Sequence, residues 1–127
     1  MDMQNPTVST KSKGDLFEAK TLEWLLAKPG WRLLKQNFRC KGGEIDLIFE
    51  HDQVNGIDLV FVEVRSRSTD SGQLSAFDSI TFRKQYRVQM AAKLFLINYS
   101  GLATGARFDI VTWEFGCMEP FHLKNAW

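Results

Sequence analysis

Asp46, Glu63 and Arg65 stand in two neighbouring β-patterned segments, Gly43-Glu44-Ile45-Asp46-Leu47-Ile48 and Phe61-Val62-Glu63-Val64-Arg65. Two carboxylates and a guanidinium held by rigid strands suit a hard divalent cation and a phosphodiester. The oxygens hold the metal and the fixed cation faces the phosphate. Glu63 interrupts the apolar run Leu59-Val60-Phe61-Val62 before Val64, where a carboxylate is unfavourable unless a metal or cation compensates it. The plainer alternative is a pair of cross-strand ion pairs, Asp46–Arg65 and Glu44–Arg67. Each would be worth about 0.2–1 kcal/mol when exposed and would carry no chemistry.

The elements that must position these residues can be read from patterning. Asn55-Gly56 signals a tight type I′ turn between the two strands, pairing Val54 with Ile57. That register sets Asp46 opposite Arg65 and Ile48 opposite Glu63, leaving Asp46 and Glu63 diagonal, about 7–8 Å apart at the backbone. Ile45, Leu47 and Phe49, with Val60, Val62 and Val64, then form the other face, which is apolar and must be buried. A first helix is expected from about Ser12 to Lys28, with Leu16, Ala19, Leu22 and Leu26 recurring at helical spacing and Pro29-Gly30 ending it. Strands follow from Trp31 to Phe38, from Glu44 to about Glu50 and from Ile57 to Arg67, and Thr69 to Gln73 reads as a polar loop. A second helix spans about Thr81 to Asn98, with Tyr86, Met90, Leu94 and Ile97 as its apolar stripe. A strand from Ala106 to Phe115 and a short edge strand or ordered tail at Pro120–Leu123 complete the chain. The order α-β-β-β-α-β predicts a three-layer α/β domain around a mixed sheet. Residues 1–11 are expected to be a flexible tail and 12–127 one domain.

Further residues join this frame. Glu18 precedes the apolar position Ala19, at the boundary of the first helix's buried face. Its own pattern also fits a solvated helical glutamate. Arg83, Lys84 and Arg87 crowd the start of the second helix. Cations there oppose the helix dipole, which makes sense if an anion such as a backbone phosphate docks beside them. A solvated basic face is the alternative. Phe77, Phe82 and Tyr86 read as core residues.

Composition narrows the chemistry. The chain has 127 residues, 44% hydrophobic and 24% charged, which is ordinary for a globular domain. No apolar run approaches the roughly 20 residues of a membrane span, and the polar N-terminus lacks a signal-peptide pattern, so the expected compartment is the cytoplasm. Cys40 and Cys117 are far apart and form no CxxC pair, so a structural zinc site and, in a reducing compartment, a disulfide are not expected. His51 and His122 lie in no HExxH motif or visible triad and read as surface or edge residues. Gly42-Gly43 belongs to neither a GxGxxG motif nor a P-loop, so no small-molecule cofactor is expected. The net charge of +1 conceals segregation. Residues 11–41 carry eight Lys/Arg against three Asp/Glu, residues 44–63 carry six acids and no Lys/Arg, and residues 65–93 carry six Lys/Arg against two acids. An acidic centre between basic flanks suits a metal-dependent enzyme acting on a polyanion.

Gly14, Glu18, Gln36-Asn37-Phe38-Arg39, Gly43 to Ile48, Phe61 to Arg67, Arg83-Lys84-Gln85 and Arg107-Phe108-Asp109 together closely resemble the YraN-like uncharacterised bacterial proteins, over about residues 12 to 113. The resemblance implies a restriction-endonuclease-like fold of the PD-(D/E)xK nuclease superfamily, similar to archaeal Holliday junction resolvases. It implies Mg²⁺ or Mn²⁺ at Asp46 and Glu63, assistance from Glu18, and roles for Lys84 and Gln85 as the polar pair of the second helix. Arg65 falls where the superfamily has its lysine. A lysine near a metal can lose its proton and help deprotonate water. Arginine stays charged, yet can stabilise charge developing on a phosphate. Phe17 and Thr21 are smaller departures, at positions where relatives have Gly and Ala. The reading is a metal-dependent endonuclease acting on DNA, on branched or damaged structures. Arg39, Lys41, Arg67, Arg83, Lys84 and Arg87 would hold flanking phosphates, and analogy with resolvases allows a homodimer. The rivals are a nucleic-acid-binding module that has lost cleavage and a protein-interaction domain that keeps only the fold.

Overall fold

The computed structural model describes residues 10–67, 80–114 and 116–127, without the side chains of 10–13 and Arg67. The expected Thr69–Gln73 loop and Phe77 lie outside the described residues. The elements are α1 (Thr10–Leu26), β1 (Trp31–Cys40), β2 (Gly43–Gln53), β3 (Gly56–Arg67), α2 (Phe82–Ile97), β4 (Gly105–Glu114) and β5 (Phe121–Leu123). The strands form one mixed sheet in the order β1-β2-β3-β4-β5. β1, β2 and β3 pair antiparallel, β4 runs parallel to β3, and β5 pairs antiparallel with β4 at the edge. This is the expected mixed α/β order, with Pro120–Leu123 resolved as a three-residue edge strand.

Alternation along β3 sends its apolar residues into two cores. Val60 and Val62 pack with Leu25, Phe17, Leu22 and Trp24 of α1, while Leu59 and Phe61 pack with Val88, Ala91 and Ala92 of α2. The helices therefore cover opposite faces of the sheet. No helix among the described residues is long and apolar enough to cross a membrane.

Both helical stripes differ from expectation. Leu16, Ala19 and Leu26 of α1 are exposed, and the helix turns Phe17, Thr21 and Leu25 inward. On α2, Tyr86, Leu94 and Ile97 are exposed and Val88, Ala91 and Ala92 are buried. Small residues win on α2 because the helix approaches the sheet closely. A Cβ at Gly43 of β2 would collide with the Arg87 backbone carbonyl, so this contact admits only small side chains. Thr81 caps α2, its hydroxyl accepting from the Lys84 N–H at 3.1 Å.

The β2–β3 hairpin also differs. Gln53 pairs with Gly56, so Val54-Asn55 forms the corner and the register is two residues from that expected. Gly56 serves packing, not a left-handed turn. A Cβ there would fall 2.6 Å from the Thr104 hydroxyl, beside the Thr104 N–H bond to the Ile57 carbonyl. A shift of two preserves parity, so the face assignments of β3 hold. On β2 they change midway. Leu47 and Phe49 face the α1 core, but Ile45 faces the α2 core. The reversal coincides with Asn37, whose φ of 50° is left-handed, and with a gap in the β1–β2 register between Gln36↔Leu47 and Phe38↔Ile45. Asp46 lies at that gap.

Candidate metal and nucleic-acid site

The β2–β3 ladder ends at Leu47↔Val62, and the next residues are Asp46 and Glu63. The same register carried one step further sets them opposite each other, not diagonal as expected. Beyond the ladder, side chains replace backbone partners. The Val64 N–H donates to Asp46 Oδ2 at 2.9 Å, and the Asp46 N–H donates to Glu63 Oε2 at 3.4 Å. Each carboxylate is thus fixed by the backbone of the other strand.

Helices complete the site from both layers. Glu18, half-buried on α1, stands beside the Asp46 carboxyl. From α2, Lys84 Nζ lies 3.3 Å from Glu63 Oε1 and 3.9 Å from Glu44 Oε2. Glu63 is 1% exposed. Burial first, then the neighbouring Asp46 charge, push its carboxyl up to about 8 against the pull of Lys84. Burial and Asp46 likewise raise Glu18 to about 7, with Arg39 opposing. Burial raises Asp46 despite the Val64 N–H and Lys84. Three desolvated carboxyls compete for too little positive charge.

The residues predicted from sequence divide as follows. Asp46, Glu63 and Glu18 converge. Lys84, expected to hold a flanking phosphate, turns inward to Glu63 instead. Gln85 donates to the Ile80 carbonyl at 3.3 Å, which fixes the approach to α2. Arg65 follows Glu63 by two on β3 and is half-buried, whereas Arg39, Lys41, Arg83 and Arg87 are exposed. The backbone of Arg67 ends β3 and pairs with Glu114. An open cleft of about 700 Å³ between α1 and β1 reaches Glu18 and Asn37 at the margin of the site.

A cation held here would have to be one that needs few protein ligands. Among the described residues no three acidic, His or Cys side chains stand close enough to enclose a metal. Asp46 and Glu63 supply oxygen donors from adjacent strands, with Glu18 behind them. Mg²⁺ is held in this manner, by one or two carboxylates with water and substrate phosphate filling the remaining positions.

A second polar cluster, not foreseen from sequence, lies on the α1 side. Asp109, fully buried on β4, accepts from Arg107 Nε at 3.0 Å, from the Asn125 N–H at 3.0 Å and pairs with His122 Nε2 at 2.8 Å. Arg107 also donates to Asp58 at 2.8 Å and meets His51 Nδ1 at 3.1 Å. Burial opposes ionisation of Asp109, but the bonds from His122, Arg107 and Asn125 outweigh it and hold the carboxyl below its usual range. The two histidines are therefore half-buried parts of an ionic network that ties β5 and the C-terminal residues to the sheet. The alternation Arg107-Phe108-Asp109 was the available signal, since residues two apart on a strand share a face.

Residues 17–113 match the protein family described as "Uncharacterised protein family UPF0102". A UPF0102 protein of Herminiimonas arsenicoxydans is 39% identical over 124 residues, covering 98% of this chain and 93% of the relative. One of Aeromonas hydrophila is 38% identical over 126 residues, covering 97% and 90%. One of Pseudomonas putida (strain W619) is 44% identical over 107 residues, covering 84% and 82%. The matched span holds Glu18, Asp46, Glu63, Arg65 and Lys84, and the chain belongs to the UPF0102 family.

Proposed function

We propose that this chain is a Mg²⁺- or Mn²⁺-dependent endonuclease with a restriction-endonuclease-like fold of the PD-(D/E)xK type, acting on DNA phosphodiesters. The observation that carries the reading is the buried Glu63 beside Asp46, two carboxylates from adjacent strands whose burial favours a divalent cation between them. When bound, that cation would polarise the phosphate and acidify a water. Asp46 and Glu63 would hold it, and Glu18 would orient Asp46. Arg65, always charged, would face the phosphate. Lys84 supplies from α2 the lysine that β3 lacks. Its ammonium lies 3.3 Å from Glu63 Oε1 and would be free to face the phosphate if a metal were held by that carboxylate.

The same ion pair favours a second reading. Lys84 already occupies the place beside Glu63, as expected of a nucleic-acid-binding module in which a fixed cation has replaced the metal. Cleavage of end-labelled linear, flapped and four-way DNA with Mg²⁺ or Mn²⁺ separates the two. The enzyme reading predicts metal-dependent products, lost by about a thousandfold in Asp46→Asn and Glu63→Gln, and by about a hundredfold in Lys84→Ala, magnitudes typical of electrostatic groups in active sites. Arg65→Lys should retain or raise the rate. DNA binding without cleavage on all three substrates would favour the module.

A further inference from the structure

Phe82 and Tyr86 were expected in the core, but their side chains are 86% and 62% exposed. Among the described residues neither ring packs against another aromatic ring. Residues four apart on a helix are neighbours on one side, so the two rings form a row spanning about 6 Å of the axis. Arg83 and Arg87, both exposed, form the next row. Lys84 and Val88 form the one after it, with Lys84 at Glu63 and Val88 in the core. Passing around α2, the surface reads aromatic, then cationic, then the carboxylate site.

We propose that this face of α2 binds single-stranded nucleic acid, with unpaired bases stacked on Phe82 and Tyr86 and phosphates on Arg83 and Arg87. The proposal rests on the nuclease reading and names its substrate class: strands with unpaired bases beside the scissile phosphate. Bases are planar and tolerate aromatic stacking whatever their identity, and the backbone they carry is anionic. Charge decides against a second copy of the chain as the occupant. A two-fold pairing through this face would bring Arg83 and Arg87 of both copies together.

The test is fluorescence anisotropy of the full chain, in EDTA to prevent cleavage. The probes are oligothymidine, an abasic strand of the same length and a duplex. The wild type should bind oligothymidine about a hundredfold tighter than the abasic strand, about tenfold for each stacked base. Phe82→Ala and Tyr86→Ala should each remove about tenfold of that affinity and leave the abasic strand unchanged. Phe82→Trp should preserve the preference, and Arg83→Ser should weaken both strands alike. Equal affinity for oligothymidine and the abasic strand overturns the proposal. So does an alanine variant that changes only a concentration-dependent dimer. Salt-sensitive duplex binding without a single-strand preference would sink the stacking face and leave the nuclease reading intact. Absence of binding to all three probes would likewise sink the stacking face, and the nuclease reading would then stand or fall on the cleavage assay with metal.

Discussion

Glu63 has its carboxyl where water cannot reach it, and the raised carboxyls of Glu63 and Glu18 fix the direction of a pH effect. Without metal, both are protonated in the folded chain at pH values where they ionise in the unfolded one. The folded state then binds more protons, so stability falls as pH rises from about 4.5, the ordinary glutamate value, to about 8, the folded value for Glu63. For Glu63 each pH unit in that window is worth up to about 1.4 kcal/mol. Thermal unfolding in EDTA should show Tm falling between pH 5 and 8, and Glu63→Gln should flatten most of that slope. A Tm that rises over the same range contradicts the assignment. Glu63 was legible because a carboxylate within an apolar run has few physical explanations, and hairpin parity set Asp46 on the same face. The destination of Lys84 was not, because a lysine in the first turn of a helix can point to solvent or inward with the same local pattern. Phe82 and Tyr86 escaped the sequence because two rival stripes of the same period run along α2, and period alone does not choose between them.

The choice between stripes was made by a contact between elements. The approach of α2 to β2 at Gly43 leaves room for Ala91 and Ala92 but not for Tyr86 or Leu94. It also sets the distance from Lys84 to Glu63. Gly43→Ala should therefore destabilise the chain by about 1–3 kcal/mol, as overpacking does, read by urea unfolding. A Cβ added at Gly14 would meet no atom within 4 Å, so Gly14→Ala is the control, expected to gain about 0.5–1 kcal/mol from helix propensity. A neutral Gly43→Ala would show that the α2–β2 contact is loose. In the hairpin, Asn55-Gly56 correctly announced a turn, but its glycine answers to Thr104, more than forty residues away. Such a contact is invisible to local turn rules. Because the slip was by two residues, Asp46 and Glu63 stayed together. The reversal at Asn37 and Asp46 was equally hidden, since an asparagine in a strand does not declare a positive φ.

Across the whole molecule, the acidic middle of the sequence falls on β2 and β3, and the basic flanks supply α1, the end of β1, the end of β3 and the start of α2. From those flanks, Lys84 reaches Glu63 and the Arg39 charge acts on Glu18. The Asp109 network lies on the α1 face, at the side where β5 and the C-terminal residues dock. Its bonded partners explain two buried charges without any chemistry. A divalent cation between Asp46 and Glu63 would join residues of β2 and β3, with Glu18 of α1 and Lys84 of α2 beside them. Anomalous diffraction from crystals of the full chain soaked in Mn²⁺ tests it most directly. A peak bound by the Asp46 and Glu63 carboxylates is expected, with Lys84 withdrawn from Glu63. Lys84 still paired with Glu63 and no peak beside either carboxylate at saturating Mn²⁺ would contradict it.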